Sequence, residues 1–174
     1  MHGARRIIIG TSGSPGSLQA LRYAAGIARD NEATLVPVLA WTPPGGDLAD
    51  RRSPSAFLRQ VWRDAAWQQL WTALELAWGG IAPAGQPAEP RVLRGEPGEM
   101  LVASAAEPGD LLVIGTGRRG AMRRLIGSPV GRYCLGHAGC PVVAVPPAEL
   151  EHAAGHGLRG WAFRHRAVSV SHPG

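Results

Sequence analysis

Five short apolar runs, separated by longer segments of helical character, constrain the fold of this chain more than any other feature. The runs lie at 6–10, 33–41, 91–93, 111–114 and 142–145. They are continuous rather than alternating, which is typical of strands that are buried on both faces of a parallel sheet. The order β-α-β-α-β-α-β-α-β therefore predicts an α/β domain with a five-stranded parallel sheet and helices on both faces.

Serine-proline pairs mark the starts of helices. Ser14-Pro15 and Ser128-Pro129 each combine a good cap with a residue that fits the first helical position. Helices are predicted over 15–30, 53–78 and 98–107 and from 129 onward, and residues 42–52 are predicted to be a polar connection. Pro37 is awkward in the second strand, because it removes a backbone donor. Four large apolar residues recur at helical spacing in the long helix: Trp67, Trp71, Leu74 and Trp78. They are predicted to form a stripe that lies in the core or at a subunit contact.

Length and composition predict one ordinary globular domain. The 174 residues are 45% hydrophobic and 18% charged, and no apolar run approaches the roughly 20 residues that span a bilayer. Residues 1–148 are predicted to form the folded domain and 149–174 a flexible C-terminal tail. The N-terminus lacks the apolar region of a secretory signal, which predicts a cytoplasmic protein. Cys134 and Cys140 are then expected to be reduced thiols.

All 18 basic residues are arginine, and the absence of lysine excludes several enzyme classes. A P-loop lysine, a Schiff-base lysine and a kinase-type lysine are impossible. No serine, histidine and aspartate are arranged as a catalytic triad, and His152 and His156 lack a third metal ligand. No catalytic or metal-binding residue is therefore predicted.

The segment 115–127 carries the excess positive charge. Four arginines lie there without any acid, between the fourth strand and a helix N-terminus, and glycines make the backbone flexible: Arg118, Arg119, Arg123 and Arg124. This combination predicts an anion site, most plausibly for phosphate. The loop has no interleaved aromatic residues, which disfavours nucleic acid. Residues 115–120 spell GxGxxG, but they follow the fourth strand and no acid comes about 20 residues later, which argues against a dinucleotide fold.

A longer spacing is more informative: Gly117, nine residues, then Gly127 and Ser128. With IIIGTSGSPGSLQALRYAAGIA near the start and GCPVVAVPP at the end, the chain resembles the universal stress protein family over roughly residues 5–147. The family's ATP signature is glycine, two residues, glycine, nine residues, glycine, then serine or threonine. The second half matches in full, whereas only one residue separates Gly115 from Gly117.

The resemblance implies an adenine nucleotide alpha hydrolase-like fold with strand order 3-2-1-4-5. It implies that Gly117, Gly127 and Ser128 line the triphosphate of ATP and that Gly115 lies near the ribose. Trp41 falls where the family builds its adenine pocket, although ordinary packing explains a tryptophan there equally well.

Three further residues belong to the predicted site. Thr11 and Ser12 follow the first strand, where the family commonly has an aspartate at the position of Ser12; a serine hydroxyl bonds a ribose more weakly than a carboxylate. The N–H of Val130 is available to a phosphate, whereas Pro129 has none.

The predicted function is adenine-nucleotide binding, with ATP and Mg²⁺, by a homodimeric stress sensor or signalling component. The resemblance implies that the dimer often forms through the last strand. One alternative is an interaction protein of the same fold and dimer that binds no nucleotide. A slow ATP hydrolase ranks third, because it needs a base to position water and the loop has no acid or histidine. A nucleic-acid binder ranks fourth.

Overall fold

A five-stranded parallel sheet forms the centre of the protein. The structure, a computed structural model, describes residues 3–116 and 128–146. The strands are β1 (Arg6–Gly10), β2 (Thr34–Trp41), β3 (Arg91–Arg94), β4 (Asp110–Gly115) and β5 (Val142–Val145). All neighbouring strands pair in parallel, in the order β3-β2-β1-β4-β5. The predicted sheet and the predicted strand order are both confirmed.

Helices cover both faces of this sheet, as predicted. The described helices are α1 (Pro15–Asn31), α2 (Gly46–Arg52), α3 (Ala56–Trp78), α4 (Pro97–Ser104) and α5 (Pro129–His137). One face carries α1 and α3 over the larger core cluster, and the other carries α4 and α5 over the smaller one. Among the helices described, none is both long enough and apolar enough to cross a bilayer.

The side chains of β1 alternate between these two cores. Ile7 and Ile9 belong to the cluster on the α1 and α3 face, whereas Ile8 belongs to the cluster on the α4 and α5 face. All three are completely buried. A strand that is covered on both faces must be apolar at every position, which is the physical reason for the continuous run in the sequence.

A buried ion pair sets the register where β1 and β4 begin. Arg6 lies opposite Asp110 across the two strands. Its Nε and Nη2 donate to the two carboxylate oxygens of Asp110, at 2.9 and 2.8 Å. Desolvation alone would raise the pKa of Asp110, but the hydrogen bonds from Arg6 and from the Glu107 amide lower it below its usual range.

The first helix begins and ends as the sequence predicts. The Ser14 hydroxyl accepts a hydrogen bond from the Ser17 amide at 3.3 Å, and Pro15 occupies the first turn. At the other end, Glu32 adopts a left-handed conformation with φ 53° and donates its amide to the Ala28 carbonyl. The buried stripe of the helix is mostly alanine, which lets the helix lie close to the sheet: Ala20, Leu21, Ala24, Ala25 and Ala28.

Two boundaries and one connection differ from the prediction. The long helix α3 begins at Ala56, and its cap is Ser55 rather than Ser53, because the Ser55 hydroxyl reaches the Leu58 amide at 3.3 Å. Residues 42–52 are not merely a polar connection, since α2 forms there around the buried Asp50. Likewise α4 begins at Pro97 and ends at Ser104, earlier than predicted at both ends.

Pro37 fits in β2 because its nitrogen, which carries no hydrogen, faces the side of the strand that has few ladder hydrogen bonds. The Thr34 amide donates to Arg5 on the β1 side, and the Leu35 amide donates to Pro87 on the β3 side. The amides of alternate residues in a strand point to the same side, so the nitrogen of Pro37, two residues after Leu35, faces β3. There β3 begins only opposite Val38, which leaves no regular ladder bond for Pro37 to break.

The tryptophan stripe on α3 is only partly core. Leu74 is fully buried, and Trp67 and Trp78 pack against the larger cluster. Trp71 remains 40% exposed and stacks on Trp67, with ring centroids 5.2 Å apart. The predicted core role therefore holds for three of the four residues.

Candidate functional site

The carboxyl ends of β1 and β4 lie side by side at the centre of the sheet. Gly10 at the end of β1 is in register with Ile114 on β4. The chain proceeds from β1 towards β3 on one side, and from β4 towards β5 on the other, so the strand order reverses here. In open parallel sheets this is the crevice in which ligands bind.

The loop that leaves β1 (residues 11–14) turns back on the first turn of α1. Thr11 is buried, its amide donates to Val38 at 2.9 Å, and its hydroxyl donates to the Ile9 carbonyl at 3.3 Å. Ser12 is exposed, and its hydroxyl donates to that of Ser14 at 3.0 Å. Thr11 therefore anchors the loop, whereas Ser12 presents a hydroxyl at its surface.

Gly115 has a packing role that sequence analysis did not reveal. A Cβ atom at Gly115 would overlap the carbonyl group of Gly16 and would lie 2.6 Å from the Ser17 amide nitrogen. A Cβ atom at Gly16 would lie 2.5 Å from the Thr116 carbonyl oxygen. The end of β4 thus lies directly against the N-terminus of α1, which requires glycine on both sides.

Thr116 anchors the start of the arginine-rich segment and was also missed. It is buried, its amide donates to the Val145 carbonyl at 2.7 Å, and its hydroxyl lies 3.3 Å from the same oxygen. A threonine directly after an apolar strand is the one sequence signal that could have indicated such an anchor.

Ser128 caps α5, as predicted. Its hydroxyl accepts from the Gly131 amide at 3.4 Å, and Pro129 occupies the first turn. The Val130 side chain packs against the smaller core cluster, and its amide is among the first-turn donors that a helix leaves without a helical partner. Because α5 leads into β5, which runs parallel to β4, it begins at the same edge of the sheet as the crevice.

Some predicted site residues lie outside the described residues. These are Gly117, Gly127 and the four loop arginines 118, 119, 123 and 124. The predicted tail at 149–174 lies outside them too. Ser12 and Gly115 both lie against the first turn of α1, since the Ser12 amide donates to the Ser17 hydroxyl and Gly115 lies against the Gly16 carbonyl.

Trp41, the last residue of β2, lines a second cavity. That cavity has a volume of about 410 Å³, and its lining includes none of Thr11, Ser12 or Gly115. It is lined by Trp41, Ala56, Arg59, Gln60, Arg63, Val92 and Arg94. The Trp41 side chain also packs against the larger core. Its role in an adenine pocket stays a prediction.

An ion-pair network holds α2 against this second cavity. Asp50, with a side chain 2% exposed, accepts from Arg94 at 2.7 Å and from Arg59 at 2.8 Å. Arg94 also binds Asp47 at 2.6 Å, and its guanidinium carbon lies 5.8 Å from the Trp41 ring centroid. Desolvation opposes ionisation of Asp50, but the two arginine hydrogen bonds outweigh it and lower the pKa.

Gln69 reaches the crevice from α3, and nothing in the sequence pattern indicated this contact. Its amide nitrogen donates to the Ser12 carbonyl at 2.9 Å.

Few other side chains suit metal binding or redox chemistry. Within 3–116 and 128–146 no group of three or more metal-ligating side chains occurs. Cys134 and Cys140 are both free, and burial raises the pKa of Cys134 to about 11.

Three solved structures illustrate the similarity of this chain to known proteins. A universal stress protein in complex with cAMP is 25% identical, covers 84% of this chain and 99% of its own, and has a TM-score of 0.51. UspA from Lactobacillus plantarum is 18% identical, with coverages of 82% and 98% and a TM-score of 0.57. An Arabidopsis thaliana universal stress protein family protein with AMP bound is 16% identical, with coverages of 84% and 94% and a TM-score of 0.50.

No curated protein matches the sequence. The Universal stress protein family, in contrast, matches residues 3–146, which is most of the chain. The matched range begins before β1 and ends just after β5, so it spans the whole described sheet. The chain therefore belongs to the universal stress protein family.

Proposed function

We propose that this protein binds an adenine nucleotide, preferably ATP, in the crevice between the ends of β1 and β4. It would act as a cytoplasmic stress sensor or signalling component. The observation that carries the proposal is the close approach of the first turn of α1 and the end of β4 at the point where the strand order reverses. The cAMP complex supports the ligand class, since that protein of the same family holds an adenine nucleotide.

The residues have separate roles in this proposal. The exposed Ser12 hydroxyl would bind the ribose, and Ser128 with the Val130 amide would bind phosphate at the start of α5. Gly117, Gly127 and the loop arginines would complete the phosphate site. Gly115 would contribute by letting β4 approach α1 rather than by contacting the ligand.

Magnesium would reach this site with the nucleotide. The segment 111–148 contains no acid, and Ser12 stands where the family commonly has an aspartate. Hydroxyl and amide groups alone suit Mg²⁺ poorly, so the ion would be held mainly by the phosphates of ATP. The same lack of an acid or histidine near the phosphates argues against hydrolysis, and we do not expect an enzyme.

The proposed assembly is a homodimer through β5. Among the described strands β5 lies at the edge of the sheet and pairs only with β4. Its side chains Val142, Val143 and Ala144 are only partly buried. An apolar edge of this kind is stabilised when a second copy covers it.

Calorimetric titration with ATP, AMP and cAMP, each with and without Mg²⁺, tests the ligand proposal. Saturable binding of at least one of them at one site per chain is expected. If none binds, and mass spectrometry finds no nucleotide released from the denatured protein, the alternative holds. That alternative is a dimeric interaction protein of the same fold without a nucleotide, and Ser12 in place of an aspartate is the observation that favours it.

A further inference from the structure

The β1–α1 loop is tied to a helix that lies far along the chain. Gln69 on α3 donates from its amide nitrogen to the Ser12 carbonyl at 2.9 Å. The same nitrogen lies 3.8 Å from the position of a Cβ atom on Gly13, whose φ of 73° makes the sharpest turn of the loop. Within the described residues, this is the one side-chain hydrogen bond that reaches residues 11–14 from outside β1 and α1.

The position of Gln69 is fixed by the packing of α3. Leu70 and Leu74 are completely buried, so the helix cannot rotate without exposing them. A second hydrogen bond joins the same two segments: the indole nitrogen of Trp78 donates to the Leu21 carbonyl at 3.1 Å. In both this pair and the Gln69–Ser12 pair, the two residues are 57 positions apart in the sequence. The two helices thus run in parallel in one register, with two contacts that are about 14 Å apart along α3.

Only one of these contacts acts on the crevice. The other bonds of Ser12 are local, from its amide to the Ser17 hydroxyl and from its hydroxyl to Ser14. Without Gln69, the Ser12 carbonyl would lose this hydrogen bond. The peptide bond between Ser12 and Gly13 would then be held less firmly, while the Ser12 amide and hydroxyl keep their local bonds. Ordering that peptide on ligand binding would then cost conformational entropy.

We infer that Gln69 is a positioning residue for the β1–α1 loop, which holds the Ser12 peptide in the conformation that receives the ligand. The effect of Gln69 on the affinity for a nucleotide rests on the proposed function, whereas its effect on the conformation of the loop does not. The net contribution of a single hydrogen bond corresponds to about a two- to tenfold change in affinity.

The test uses three variants of the full chain. Gln69→Met keeps the length of the side chain and removes the donor. Gln68→Met makes the same change on the neighbouring exposed residue, and Trp78→Phe removes the other contact between α3 and α1. Each is measured for binding of AMP and ATP by calorimetry, and for hydrogen exchange of the backbone amides in residues 12–18 without ligand.

Gln69→Met is expected to weaken nucleotide binding two- to tenfold and to speed exchange in residues 12–18, whereas Gln68→Met changes neither. If exchange speeds up but the parent protein binds no nucleotide, the positioning role stands and the proposed function fails. The inference is overturned if Gln69→Met leaves both measurements unchanged. It is also overturned if Trp78→Phe weakens binding equally, because general loosening of α3 would then be the cause.

Discussion

Gly16 and Gly115 lie against each other, one in the first turn of α1 and the other at the end of β4. The two positions are 99 residues apart, yet neither has room for a methyl group beside the opposing backbone. This contact brings the β1–α1 loop and the start of the arginine-rich segment to one edge of the sheet. The crevice therefore depends on two glycines whose backbones lie in direct contact.

Adding a methyl group at either glycine is expected to destabilise the fold. Gly115→Ala and Gly16→Ala should each lower the free energy of unfolding by about 1–3 kcal/mol, because rigid backbone must move. Denaturant unfolding measures this directly. Gly26→Ala is the matched control, since it lies in α1 with no atom within 4 Å of an added Cβ and should be neutral or slightly stabilising. Equal effects at positions 16 and 26 would contradict the proposed close contact.

The Arg6–Asp110 pair predicts a loss of stability in acid. The folded protein holds the pKa of Asp110 below its usual range, so the unfolded chain binds the proton more readily. The stabilisation is complete above the unfolded value of about 4 and declines as the pH falls through the lower folded value. In unfolding curves from pH 7 to pH 2, Asp110→Asn should have a shallower acid decline than the parent protein. The exposed Asp30→Asn should keep the parent's decline, and a parent-like decline in Asp110→Asn would rule out this cause.

Variants of two serines that cap helices can distinguish an effect on helix stability from an effect on ligand binding. Ser128 caps α5 beside the proposed phosphate site, whereas Ser55 caps α3 away from it. Ser128→Ala and Ser55→Ala should each cost about 1 kcal/mol of stability. Only Ser128→Ala should also weaken ATP binding in calorimetry. Loss of affinity in both variants, or in neither, would refute the phosphate role of Ser128.

Ser12 offers a test by gain of affinity. A carboxylate accepts a stronger hydrogen bond from a ribose hydroxyl than a serine does, so Ser12→Asp should tighten binding of AMP several-fold. Ser12→Ala, which removes the hydroxyl, should weaken it. Calorimetry with AMP rather than ATP keeps the repulsion between the new carboxylate and the phosphates small. If Ser12→Asp binds no better than Ser12→Ala, the ribose does not lie beside this loop.

Cys134 is expected to be unreactive in the folded protein. Burial raises its thiol pKa to about 11, so little thiolate exists at pH 8. Alkylation by iodoacetamide at pH 8, followed by peptide mass spectrometry, should label Cys134 only after the protein is denatured. The Cys134→Ser variant identifies the signal, and rapid labelling of native Cys134 would show that this part of the smaller core opens readily.

The sequence by itself determined the alternation of strands and helices, the parallel sheet and the caps of α1 and α5, whereas the spatial order of the strands came from the resemblance to the universal stress protein family. These features follow from patterns within a few residues: continuous apolar runs, and serine-proline pairs that satisfy a helix N-terminus locally. The pair Ser53-Pro54 predicts the start of α3 too early, because Ser55 is the serine whose hydroxyl reaches an amide of the first turn. The helix α2 was missed because its stability comes from Arg59 and Arg94, which lie outside it.

Only the tertiary structure decided how the crevice is built. It showed that Gly115 packs on Gly16, that Gln69 bonds to Ser12, and that Trp41 lines a cavity with Arg59 and Arg94. Each of these contacts joins residues that are distant in sequence and carry no motif of their own. Their positions follow from how α1 and α3 pack on the sheet, and packing is a property of all the buried side chains together rather than of any local run of residues.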